Sequence, residues 1–224
     1  MSAGSKAAGA LAPAAAGYVR TVLDKAIDGI GPLRSVARAA DGKLVDAHGD
    51  VEKAVSSFIR SHAALAGLQG FVTNLGGVVS FAWAIPANVA GVTLVQCHLV
   101  AGIAHLRGYD LADPRVRNAI LACLLGSDEV ESLVRKGKLP SGPMALATSP
   151  VHDPELDKRI AAEVTKALVG RTAGRRAVTL VAKRVPGVGG AVGASSDAWS
   201  TYQIAQYASS ELRSRRHIQT PKPR

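Results

Sequence analysis

Ser61 through Leu106 is a run of 46 residues without Asp, Glu, Lys or Arg, in a 224-residue chain that carries a net charge of +10. So long an uncharged stretch must be hidden from water. It can lie in a helical core, in a lipid bilayer, or around an apolar ligand. Hydrophobic residues make up 47% of the chain but aromatics only 4%, so Ala, Val, Leu and Gly supply most of the apolar volume. Small side chains let helices approach closely, in soluble bundles and in membranes alike.

The patterning is helical nearly throughout, with no sustained alternation of the β kind. Val19, Val22, Leu23, Ala26, Ile27 and Ile30 recur at helical spacing, which predicts an amphipathic helix over 17–30. Gly31-Pro32 breaks it, and a shorter helix is expected around 33–40. Asp50 is placed to cap the next helix, whose stripe is Val51, Val55, Phe58, Ile59, His62 and Leu65. His62 sits on that apolar stripe and is expected to be a buried structural histidine.

The charge-free run is divided by Asn74, Gly76-Gly77 and Pro86 into segments at about 70–84 and 86–106. About 20 residues span a hydrocarbon core. Asn88, Thr93, Gln96, His98 and His105 would be costly facing lipid, so a buried central helix or a hairpin dipping into a membrane is expected. Gly108 suits a left-handed C-cap, and Asp113-Pro114 and Asp153-Pro154 each read as N-cap followed by N1. Residues 137–152, with their Pro and Gly, form the main irregular connection. One-turn spacing of Leu156, Ile160, Val164 and Leu168 predicts a helix up to Gly170, followed by a separate helical stretch before Pro186. A second apolar stretch, Val185 to Ser210, contains Asp197 as its only charge. Asp197 is expected either to cap a helix or to pair with Arg107, Lys183 or Arg184.

The motif search excludes more than it finds. The glycines at 187–193 do not match a dinucleotide fingerprint, there is no phosphate-loop Gly-Lys-Ser/Thr, and Gly189 and Gly193 read as a helix-packing step. Cys97 and Cys123 are expected as buried free thiols of a cytoplasmic protein. Cys97, His98 and His105 could make a metal site only with a carboxylate from elsewhere, so neither metal nor cofactor is expected. Neither a nucleophile elbow nor an obvious His–carboxylate pair is present, and no catalytic residues are assigned. The basic residues are clustered: Arg171, Arg175, Arg176, Lys183 and Arg184 lie close together, with Arg171, Arg175, Thr179 and Lys183 along one helix face. Such a helix can lie on an anionic membrane surface. Nucleic acid is not expected, because interleaved aromatics and recognised binding motifs are lacking.

Ile103-Ala-His-Leu-Arg-Gly-Tyr-Asp-Leu-Ala-Asp-Pro-Arg115 resembles the signature Ile-Ala-x-x-Tyr-Gly-Tyr-Asp-x-x-Asp-Pro of the EcsC family, with Arg107 at a usually aromatic position. Lys183 to Ala194 is similar to its second signature, a Pro-x-x-Gly-x-x-x-Gly run leading to a lone Asp, here Asp197. The resemblance covers roughly 50–213 and points to Arg107, Tyr109, Asp110 and Asp197 as the signature polar residues. It implies a bacterial, mostly helical protein tied to membrane processes, similar in context to an ABC-exporter accessory, and no established catalysis.

The expectation is therefore an all-α multi-helix bundle over 15–213, with two charge-free helical segments at its centre. A flexible leader over 1–14 and a basic tail over 214–224 flank it. The expected function is peripheral association with anionic membrane lipid, as an accessory to a transporter or envelope process. A soluble lipid or isoprenoid carrier is the alternative, and an enzyme on a lipid-like substrate comes third.

Overall fold

The computed structural model describes residues 17–67, 87–182 and 189–215; within these, the side chains of 67, 87–90, 169, 171–182 and 189–196 are not described. Among the described residues the regular secondary structure is all α-helix, apart from one isolated bridge between Ile30 and Leu33. In chain order the helices are α1 (17–28), α2 (Val36–Asp46), α3 (Val51–Gly67), α4 (Ala87–Leu106), α5 (Pro114–Cys123), α6 (Ser127–Arg135), α7 (Pro143–Ala147), α8 (Pro154–Ala182) and α9 (Gly189–Glu211).

Helix α4 is the axis of the bundle. Every residue from 91 to 104 is buried, so this stretch of the helix presents no face to water. A helix apolar all round belongs in a core or a membrane, and here protein surrounds it: α2, α3, α5 and α9 all pack against it. Leu99, Ile103 and Leu106 are among its fully buried side chains, each worth about 1.5–3 kcal/mol of hydrophobic burial. Helix α9, the second charge-poor segment, packs mainly on α3 and also on α4. The expected pairing of the two segments at the centre is present in their described parts. Among the described residues no helix is long and apolar enough to cross a membrane.

Local rules explain most boundaries. Asp50 accepts a hydrogen bond from the Lys53 amide at 3.0 Å, capping α3. Asp113 accepts from the Arg115 amide at 2.8 Å and Asp153 from the Glu155 amide at 2.9 Å, with Pro114 and Pro154 at the first helical positions. Gly108 has φ +85°, and the Tyr109 amide reaches back to the Ala104 carbonyl to close the end of α4. Residues 68–86, which contain Pro86, lie outside the described residues.

Three expectations need correction. The second helix begins at Val36 and runs to Asp46, not 33–40, because the turn at Gly29–Leu33 extends further than the Gly-Pro pair. Gly29 has φ +87°, and a Cβ there would lie 2.5 Å from the Ser35 amide nitrogen. The connection over 137–152 contains the short helix α7, started by Pro143. Helix α8 passes through Gly170 unbroken; one glycine costs a helix about 1 kcal/mol, too little to end a 29-residue helix.

Candidate functional site

The first signature block folds into a clamp. Arg107 is 7% exposed, and its guanidinium donates to the backbone carbonyls of Ser209 and Leu212 and to Glu52 Oε2 at 2.7 Å. Those carbonyls belong to the C-terminal end of α9, where helices leave acceptors without intrahelical partners. A cation there also complements the helix dipole. The Arg107 carbonyl accepts from the Arg215 amide at 2.8 Å, and the Arg215 guanidinium sits 5.5 Å from the Tyr109 ring centroid. Tyr109 is buried, which raises its phenol pKa. Asp110 turns on itself to accept from the Ala112 amide at 2.9 Å. Arg107 and Tyr109 thus fasten the end of α9 and the residues after it to the α4–α5 turn, while Asp110 shapes that turn from within.

Asp197 is not an N-cap. Helix α9 starts at Gly189, which places Asp197 in the helix interior, and its side chain is buried. Arg107, an expected partner for it, is engaged with Glu52 and the α9 carbonyls instead. Asp197 is buried, as are the polar side chains of Thr93 and Gln96 on α4 and of Thr201 on α9, two helices that pack together. There Gln96 donates its amide to Thr201 Oγ1 at 3.1 Å. That buried hydrogen bond helps to fix the register of two otherwise greasy helices.

The histidines separate. His105 pairs with Asp41 of α2 at 2.8 Å. His98 instead faces His62 of α3, with Nδ1 2.8 Å from His62 Nε2, while its own Nε2 lies 3.0 Å from the Arg34 carbonyl. His62 Nδ1 lies 2.8 Å from the Phe58 carbonyl, which also accepts from Ser61 Oγ at 2.9 Å. Burial, joined by the charges of His98 and Lys43, pushes the His62 pKa down to about 3, and burial also lowers that of His98. Among the described residues no group of three His, Cys, Asp or Glu side chains could hold a metal. Cys97 and Cys123 are buried free thiols, and burial raises the Cys97 pKa to about 12, which keeps it protonated and inert.

A surface groove of about 900 Å³ runs between the α5–α6 turn and the outer face of α9. Asp128 and Glu129, in the first turn of α6, form one wall. Trp199 and Tyr202 form part of the other, 62% and 41% exposed, with ring centroids 6.1 Å apart. The sequence reading missed this site, although the i, i+3 spacing of Trp199 and Tyr202 already put two aromatics on one face of a helix. It also missed the His62–His98 pair; the signal was two histidines in apolar stretches, each needing a polar partner.

Of the expected lipid-binding residues, Arg171, Arg175 and Arg176 lie on successive turns of α8 with side chains outside the described set, and Lys183 and Arg184 lie outside the described residues altogether. No curated protein and no solved structure matches the chain significantly. The model of the EcsC protein family matches residues 49–216, from the start of α3 through the Arg107 clamp to the end of α9. The chain belongs to the EcsC protein family.

Proposed function

We propose that this protein attaches peripherally to an anionic membrane surface through the cationic turns of α8, without chemistry of its own, as an accessory to a transporter or envelope process. The observation that carries this reading is the continuity of α8 from Pro154 to Ala182, which puts Arg171, Arg175 and Arg176 on one rigid element. With Lys183 and Arg184 they supply about 1 kcal/mol each close to anionic headgroups, or about 5 kcal/mol together. That is weak alone, and stable attachment needs a second, apolar contact. Residues 68–86 of the charge-free run have the composition for it, with Phe71, Phe81 and Trp83 among them.

Sedimentation with phosphatidylcholine vesicles, with and without phosphatidylglycerol, tests the reading. The protein should pellet with the anionic vesicles and stay in the supernatant with the neutral ones. A protein that remains in the supernatant with both would sink it.

A further inference from the structure

The chain carries +10 overall, yet the groove between α6 and α9 is acidic. Asp128 and Glu129 stand on its rim, and among the described residues neither forms an ion pair. Tyr207 also lines the groove, and among the described residues no Lys or Arg does. The opposite wall offers the exposed rings of Trp199 and Tyr202, inclined to each other by 28°. Aromatic faces beside carboxylates attract cations twice over, through the ring quadrupole and through direct charge. Gln203 and Gln206, exposed on the same helix, add hydrogen-bonding side chains to the lining. An anionic headgroup would be repelled here, so this face does different work from the arginines of α8.

We propose that the groove docks a Lys/Arg-bearing peptide segment of a partner protein, with its cations between Asp128, Glu129 and the Trp199–Tyr202 pair. The segment lies along α9, where exposed polar and aromatic residues recur at helical spacing from Trp199 to Gln206.

A fluorescein-labelled octa-arginine peptide is the probe, followed by anisotropy with the full-length protein in lipid-free buffer. Binding of a polycation to a protein of net charge +10 works against the overall field, so saturable binding must be local. The D128N/E129Q double variant should weaken it about tenfold, and Trp199→Ala about threefold. The D46N/E155Q variant removes the same charge from exposed sites elsewhere and should bind nearly as the parent does. In a Trp83→Phe background, Trp199 fluorescence should shift on titration with unlabelled peptide. No saturable binding, or equal loss in both double variants, overturns the proposal. If only a chain lacking residues 216–224 binds the peptide, the groove belongs to the protein's own basic tail, and a partner segment is ruled out. No lipid is involved, so the outcome stands apart from the vesicle experiment.

Discussion

His62 Nε2 lies 2.8 Å from His98 Nδ1, joining α3 to α4 through two stacked imidazoles inside the core. The chain of contacts runs from the Phe58 carbonyl through both rings to the Arg34 carbonyl, three contacts in all. Two neutral imidazoles carry two ring protons between them. Two protons fill two of the three contacts, so in the neutral pair one contact has no proton. A third proton would fill the remaining contact, but burial opposes the charge and prevails.

That balance makes stability depend on pH. Both histidines have folded pKa values below the usual value near 6.5, so the unfolded chain binds the extra protons. Their contribution is complete above about pH 6.5 and is lost as the pH falls, for His62 toward about 3. His62 alone should cost up to about 1.4 kcal/mol per pH unit over that window, and His98 adds to it in the same direction. Urea unfolding at pH 7 and pH 5 should show the loss. A His62→Gln/His98→Asn variant should give a visibly flatter profile, and a profile as steep as the parent's would show that other groups cause it.

Gly102 is where Phe58 meets α4. A Cβ on residue 102 would lie 2.2 Å from the Phe58 ring, which itself packs 4.2 Å, centroid to centroid, from His62. Gly102→Ala should therefore destabilise the fold by about 1–3 kcal/mol despite adding a good helix former. Thermal unfolding measures this, and Gly42→Ala, where a Cβ meets nothing within 4 Å, is the control that should be neutral or mildly stabilising.

Removing Arg107 should loosen the end of α9 first. Arg107→Met leaves the Ser209 and Leu212 carbonyls without their charged donor, while the lost pairing with Glu52, an exposed side chain, contributes little. The expected cost is about 2–4 kcal/mol. Hydrogen exchange should speed up selectively over 205–212, and uniform acceleration across the bundle would contradict a local clamp.

Asp113 caps α5, and hydrogen bonds from the Arg115 side chain hold its carboxyl below the usual carboxylate range. Asp113→Ala should cost about 1 kcal/mol at neutral pH. Asp113→Asn should recover most of the cap but not the three contacts to the Arg115 guanidinium. Denaturant midpoints of the three proteins should fall in the order parent, Asn, Ala.

What was legible in the sequence follows the range of the interactions involved. The Asp-Pro helix starts and the Gly108 stop act within a few residues, and they lie where the sequence places them. The charge-free run could be assigned to the core because Gln96 and His98 implied buried partners. The partners themselves, Thr201 and His62, lie 105 and 36 positions away and could not be named. Asp197 was misplaced because Ser195-Ser196 imitates a cap, whereas α9 begins about two turns earlier, at Gly189. The groove is harder still to foresee, since its walls come from two elements separated by some 70 residues of sequence.

Membrane attachment through α8 is the claim on which the functional account rests. The most direct measurement is vesicle partitioning of the parent and of R171Q/R175Q/R176Q, on phosphatidylglycerol-containing vesicles across a salt series. Three lost cations at about 1 kcal/mol each predict partitioning about 100-fold weaker at low salt, with a shallower salt dependence. Equal partitioning and an unchanged salt slope would contradict the account.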